Sequence, residues 1–417
     1  MEYLRRTVDT QLDELMQWEP AIAVDGPKGV GKTVTAQRRA NAAWQLDDPA
    51  QRGALAADLN FSAAPDGTLL IDEWQHLPEA WDSVRRRVDE GAPPGRFLLT
   101  GSATPRPGRG THSGAGRIMS LRMRPMALYE RGVAEPVVSL RKLLEGTPQE
   151  VRGEARLTVR DYYKAITTSG LPELQGLPSR VVQRRLDSYL QRVIDRDLPE
   201  QGYTLRSPET LRRWLASYAA ASSTPTSYSQ ILDATTSGDG FQPAKTTTIA
   251  YRDHLTQLWL LDAVPAWAPV LNNPFKRLML REKHQLADPA FAARLLGLTA
   301  ADLGTGRGAH MAGPLFESLA ALTVRVAAHG ADAKVGHLRT QNGDHEVDLV
   351  VEGADGRVLG IEVKLAGWIE DQDVKQLKWL RNNLGDDVVD LVVLYSGSYA
   401  YRRKDGIAVV PLSLLGE

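Results

Sequence analysis

The chain has 417 residues, 42% of them apolar and 24% charged, with 50 Lys+Arg set against 51 Asp+Glu. That length makes two to four domains at roughly 100–200 residues each, and the even charge balance leaves any contact with nucleic acid to local patches. With no cysteine, disulfides, thiolate zinc sites and iron–sulfur clusters are excluded, and a reducing compartment is expected.

The opening segment MEYLRRTVDTQLDELMQW has no apolar signal core, and no apolar run reaches the roughly 18–20 residues of a membrane helix. A cytoplasmic protein without a membrane partner is expected. Leu4, Val8, Leu12, Leu15 and Met16 form a helical stripe over 3–18. Short apolar runs follow at 21–24, 68–71 and 96–100, separated by a glycine-rich turn, a helical stretch over 32–45 and further helical segments. Such runs read as buried parallel strands of an α/β sheet. Residues 102–116 (SATPRPGRGTHSGAG) read as a loop.

From about 135 to 285 the pattern is mostly helical. The stretch 179–198 places Val182, Leu186, Tyr189, Leu190, Val193 and Ile194 on one face. Three helices over 208–260, followed by a strand-like piece at 261–267, suggest a winged helix-turn-helix. The last third reads as a helix near 314–328, strands at 334–340, HEVDLVV and RVLGIEVKL, a helix over 370–383 and a strand at 389–395. These readings divide the chain into 1–135, 136–285 and 286–417.

Gly26-Pro27-Lys28-Gly29-Val30-Gly31-Lys32-Thr33 fits G-x-x-x-x-G-K-[ST] between a predicted strand and a helix. Its glycines let backbone N–H groups curl around phosphate oxygens at a helix N-terminus. Lys32 can reach the β and γ phosphates, and Thr33 can offer its hydroxyl to Mg²⁺. Leu69-Leu70-Ile71-Asp72-Glu73 supplies the partner strand: Asp72 for the Mg²⁺ shell, Glu73 to orient or deprotonate the attacking water. At the third strand end, Thr100 or Ser102 can hydrogen-bond the γ-phosphate or water, or simply cap the strand–loop junction. Arg117, and more weakly Arg106 or Arg109, can act as an arginine finger supplied in cis or by a neighbouring copy, or be ordinary surface or packing arginines.

Several short pieces, in this order, resemble AAA-type ATPases fused to a C-terminal DUF4143 domain. They are GPKGVGKT, LLIDEWQHLPEAWDSVRRRVD, FLLTGS, GAGRI with LRMRPMALYE, SGLPEL, LDSYLQRVIDRDL, EVDLVVE and GIEVKL. The resemblance implies an AAA-like P-loop ATPase domain, a winged-helix middle and an α/β end domain similar to the PD-(D/E)XK nuclease fold. The loop 103–115 departs from the family pattern in its Pro/Gly content, which leaves the register of the arginine finger open.

Asp348, Glu362 and Lys364 form a second set. Glu362 and Lys364 are two apart on one predicted strand and face the same way, and Asp348 lies on the preceding strand of the hairpin. Two carboxylates can hold Mg²⁺ or Mn²⁺ against a phosphodiester, with Lys364 positioning a water. Glu317 on the upstream helix can add a ligand, and Gln376 lies where relatives of this fold place a helper residue. A charged surface hairpin would carry much the same pattern. In the middle region Lys245, Thr246, Thr247, Thr248, Arg252 and His254 display a helix that can meet DNA or serve packing alone. Lys276, Arg277, Arg281 and Lys283 are a second basic stretch, suited to phosphate contact or to plain solvation.

The expectation is therefore an ATP-binding, ATP-hydrolysing, DNA-associated protein, able to form a homo-oligomer, whose nucleotide cycle controls a metal-dependent nuclease-like domain. The alternative is a nucleotide-operated switch or remodelling ATPase whose C-terminal domain only binds.

Overall fold

The computed structural model describes residues 3–417 apart from 103–113, 148, 204, 206, 236–243, 268–280 and 341–342. Arg106, Arg109, Lys276 and Arg277 lie outside the described residues.

Among the described residues the first unit is a five-stranded parallel sheet. Its strands are β1 (Ala21–Asp25), β2 (Ala42–Gln45), β3 (Leu69–Asp72), β4 (Phe97–Gly101) and β5 (Met119–Arg122), in the order β2-β3-β4-β1-β5. Alternate side chains of the central strands enter two different cores. Ile22, Val24, Leu70 and Leu98 face one, and Ala21, Ala23, Leu69, Ile71, Phe97 and Leu99 face the other. Burial on both faces is why these strands read as unbroken apolar runs. The helical stretch expected over 32–45 is split: the helix is Lys32–Gln37, and Ala42–Gln45 is edge strand β2. The AAWQ run has little β propensity of its own, and pairing with β3 overrides it.

The middle region packs helices Pro208–Ala220, Tyr228–Thr235 and Lys245–Gln257 around the buried Trp214, Tyr218 and Tyr251. A short antiparallel ribbon follows, with Leu261 bridged to Leu286 and Val264 to Lys283. Helix Ser179–Arg192 runs on into a π turn, Val193–Asp197.

The C-terminal unit is a seven-stranded mixed sheet among the described residues. It adds β6 (Val138–Ser139), which pairs separately with β14 (Leu415–Gly416), and β7 (Gly153–Glu154), β8 (Lys334–Arg339), β9 (Glu346–Glu352), β10 (Val358–Lys364), β11 (Val388–Tyr395), β12 (Tyr399–Arg402) and β13 (Ala408–Pro411). The sheet order is β7-β12-β13-β11-β10-β9-β8. Helix Ala309–Gly330 packs on one face with the large shared core, and Lys375–Leu384 covers the other. Residues 138–154, though placed by sequence beside the helices, hydrogen-bond into the C-terminal strands through β6 and β7.

The stretch Gly306–Gly330 corrects one expectation, since it is long and apolar enough to cross a membrane. Its apolar window is 78% buried inside the protein, which makes it the core helix of this unit. Glu317 and Arg325, well inside it, break the apolar run that a plain reading of the sequence looks for.

Candidate functional site

Parallel strands bring the carboxyl ends of β1, β3 and β4 to one edge of the first sheet, the usual place for a ligand crevice in such folds. The register sets Asp72 opposite Thr100, and Asp25 opposite both Gly101 and Arg122. The loop Gly26–Gly31 leaves β1 at that edge. Gly26 has no room for a side chain, because a Cβ would stand 2.1 Å from the Met123 carbonyl oxygen. Gly31 caps the following helix at φ 103°, a conformation few other residues tolerate. Val30 turns its side chain into the core, and its carbonyl accepts from the Arg6 guanidinium at 3.1 Å. Arg6 is itself held 3.0 Å from buried Glu130. The loop is thus braced from behind.

Lys32 is only 5% exposed. Its ammonium donates to the carbonyls of Gly26 at 2.8 Å and Pro27 at 2.9 Å. Burial draws its pKa down to about 8, against the pull of Glu73, Asp25 and Asp72. Thr33 donates to Asp72 at 2.8 Å, and the Thr100 hydroxyl donates to the same carboxylate oxygen. Burial pushes Asp72 up, and these two hydroxyls oppose it. Glu73 takes a left-handed backbone at φ 52°, rare for a residue with a side chain. Its carboxylate accepts from Gln75 and from Ser102 at 3.2 Å. Backbone strain beside a glycine loop is a common mark of a working site.

Lys32, Thr33, Glu73, Gln75 and Ser102 border a cavity of about 900 Å³, which Asp197, Glu200, Gln201 and Leu258 of the middle region also line. Lys28 of the loop reaches across to Asp197 at 2.7 Å. Gly29, Val30, Gly31, Lys32, Thr33, Glu73 and Ser102 line the cavity. Thr100 and Asp72 lie just behind this lining: Thr100 is buried and donates to the Asp72 carboxylate, which it positions. Arg117 stands apart from this group. It lies 2.8 Å from Asp89 in an exposed ion pair and lines no part of the cavity.

Three residues here escaped the sequence reading: Gln75, Asp197 and Asp25. Only Asp25 had a local signal, an acid closing a buried apolar strand directly before the glycine loop. Burial pushes its carboxyl up to about 6, against the Ser120 hydroxyl, Lys32 and Arg122. A carboxyl raised above its unfolded value costs stability once pH exceeds that value, near 3.8, and the cost is complete above about 6. Asp25→Asn, which cannot ionise, is therefore expected to raise stability at pH 7.5 by on the order of 2–3 kcal/mol. The gain shrinks toward zero near pH 4. Urea unfolding midpoints at the two pH values check this, and an equal change at both contradicts it.

The C-terminal set also converges, with an addition. Lys364 lies 2.8 Å from Glu362, and Asp348 accepts from the backbone N–H of Val363 at 3.0 Å. Between Glu317, Glu346 and Asp348 stands the Lys283 ammonium, at 2.9, 3.0 and 3.0 Å. Burial disfavours charge on Asp348, yet Lys283 and Lys364 outweigh it and hold the carboxyl below its ordinary value. Burial, then Asp348, pushes Glu317 up to about 8. Glu362 is likewise pushed well up, first by burial and then by Asp348. Of the residues expected as metal ligands, Glu317 and Asp348 do not fit a divalent ion between them in this arrangement, because the Lys283 ammonium fills that space, while Glu362 is engaged by Lys364 and keeps one buried oxygen without a partner among the described residues. Among the described residues no group of acids and histidines is set to hold a metal. Gln376 bonds His345 at 2.9 Å and does not reach the acids. Lys283 is buried, so the reading of the 276–283 stretch as a solvated or phosphate-binding patch fails at that residue.

Comparison with known proteins divides the chain in the same sequence. Residues 19–131 match an AAA domain, 159–302 a domain of unknown function (DUF8612) and 312–415 a domain of unknown function (DUF4143). Uncharacterized proteins of Mycobacterium tuberculosis (Rv2008c) and Mycobacterium bovis (Mb2031c) are each 25% identical over 98% of this chain and 83% of their own length. Among solved structures, a Walker-type ATPase of Pyrococcus abyssi gives 14% identity and a TM-score of 0.43, covering 70% of this chain and 96% of its own. The ORC2 protein of Aeropyrum pernix gives 15% identity and 0.32, covering 69% and 89%. The glycine loop, Asp72 and Glu73 all fall within the part matched to an AAA domain, and the acids around Lys283 within or beside the part matched to DUF4143.

Proposed function

We propose that the protein binds ATP in the cavity above the glycine loop, hydrolyses it there, and passes the nucleotide state to the middle helices through the Lys28–Asp197 contact. The observation that carries this reading is the meeting of Lys32, Thr33 and Asp72 under a glycine-walled loop at the carboxyl edge of a parallel sheet. Lys32 is a desolvated cation resting on loop carbonyls, which triphosphate oxygens would replace as stronger acceptors. Thr33 and Asp72 suit the hard oxygen coordination of a Mg²⁺ ion arriving with the nucleotide, which would neutralise phosphate charge. Glu73, fixed by Gln75 and Ser102 at the cavity wall, holds or deprotonates the attacking water. With Arg117 engaged by Asp89, a finger arginine would come from a second copy, the part of this reading that calls for a homo-oligomer.

The middle helix Lys245–Gln257 leaves Lys245 and Thr246 exposed, while Arg252 is tied to Asp253. That is a thin display for DNA. The C-terminal unit carries acids and a lysine on a hairpin, but Lys283 stands among the acids. This favours a nucleotide-operated switch, with DNA as its partner at most, over a DNA-cleaving enzyme. Titration with a fluorescent ATP analogue tests the foundation. Lys32→Ala is expected to bind at least about 30-fold more weakly than the wild type. Equal affinity would sink the proposal.

A further inference from the structure

We propose that Lys283 is the resident cation of the C-terminal acidic site: an ammonium brought in from outside the C-terminal sheet takes the place of a divalent metal and keeps the site closed to one. The geometry is that of an ammonium. The ammonium donates to Glu317 at 2.9 Å and to Asp348 at 3.0 Å, Glu346 stands 3.0 Å away as a third charge partner, and the side chain is 1% exposed. Three carboxyl groups around one three-donor ammonium match its charge and hydrogen-bonding capacity, and a lysine this deeply buried persists only when so paired. The carboxylates come from two elements of the C-terminal unit. Glu317 stands on the core helix, and Glu346 and Asp348 stand two apart on β9, facing one side. Lys364, the other cation here, is committed to Glu362.

The placement is held at both ends of the ribbon that carries Lys283. Its N–H and carbonyl pair with Val264, and two residues away the N–H of Asp262 donates to the Gln285 carbonyl. Asp262 is clamped by Arg122, Arg124 and Arg325 at 2.9, 2.8 and 2.7 Å. Arg325 lies two helical turns beyond Glu317 on the same helix, so the ribbon is fastened to one helix by Asp262 and by Lys283. A divalent ion could enter only by displacing the ammonium from this fastening. The inference is independent of ATP hydrolysis and stands or falls separately from it.

The test is uptake of Mn²⁺ by the nucleotide-free full chain, read from the electron paramagnetic resonance of free Mn²⁺. Wild type is expected to take up no more than Glu317→Gln or Asp348→Asn. Lys283→Met is expected to gain one bound Mn²⁺ per chain, lost again on adding Asp348→Asn. Where Lys283→Met alone fails to fold, Lys283→Met with Glu346→Gln removes one carboxylate along with the ammonium and leaves Glu317, Asp348 and Glu362 for the ion. Wild-type uptake that disappears in Asp348→Asn would overturn the proposal. A folded Lys283→Met protein, alone or with Glu346→Gln, that gains no ion would overturn it equally.

Discussion

Glu73→Gln is expected to lower ATP turnover by roughly 10²–10⁴-fold while leaving ATP affinity within a factor of about three, the usual reach of a positioned general base. The substitution keeps the size and the hydrogen-bonding reach of the side chain and removes its charge and its ability to take a proton. Glu73 follows directly on the strand that ends in Asp72, and its left-handed backbone turns the side chain toward Gln75 and Ser102 at the cavity wall. Its hydrogen bonds go to Gln75 and Ser102, and its charge acts on Lys32 only at a distance, so most of the binding is spared. Single-turnover hydrolysis beside an ATP-analogue titration separates the two effects. A loss of affinity as large as the loss of rate would assign Glu73 to nucleotide binding instead.

Asp262→Ala is expected to cost about 3–5 kcal/mol of stability at pH 7, the typical result of leaving buried charges without their partner. Its carboxylate stands alone between Arg122 and Arg124 of the first unit and Arg325 of the core helix, and all three guanidiniums are mostly buried. Burial disfavours its charge, but Arg124, Arg325 and Arg122 together outweigh burial and hold the carboxyl well below its ordinary value. A carboxyl depressed in this way adds stability above its unfolded value, near 3.8, and loses it only as pH falls below that. The cost of Asp262→Ala should therefore be flat from pH 6 to 8, unlike the effect of Asp25→Asn, whose gain fades toward acid. Urea unfolding across that range measures it. A cost below about 1 kcal/mol would show that the three arginines find other partners or water.

The two substitutions also mark what could be read from the chain alone. Lys32, Thr33, Asp72 and Glu73 were legible because each motif is contiguous and each strand end places its last residue at the sheet edge. Central strands buried on both faces announce themselves as apolar runs. Edge strand β2 does not, since its partner β3 supplies what AAWQ lacks. Long-range charge pairing was the larger blind spot. Lys283 read as one of four basic residues in a row, yet its partners lie 34, 63 and 65 residues further along, on a helix and a strand of another unit. The usable signal was on the other side. Glu346 and Asp348 share one face of a strand whose remaining residues are mostly apolar, and acids in that setting require a cation. Arg117 shows the same limit, because nothing local in the sequence marks the ion pair that Asp89, at the end of helix Pro78–Asp89, makes with it. Asp197 was invisible for a simpler reason: only the folded middle region brings it to Lys28.

The central claim is that the cavity above the glycine loop turns over ATP, and phosphate release by purified full chain in Mg²⁺ and ATP tests it most directly, with Lys32→Ala as the paired control. Removing one preorganised charge aimed at the reacting phosphates should lower turnover by about 10²–10³-fold. Wild-type release above the Lys32→Ala rate by that margin is the predicted result. Equal rates in the two proteins, with both folded, would contradict it.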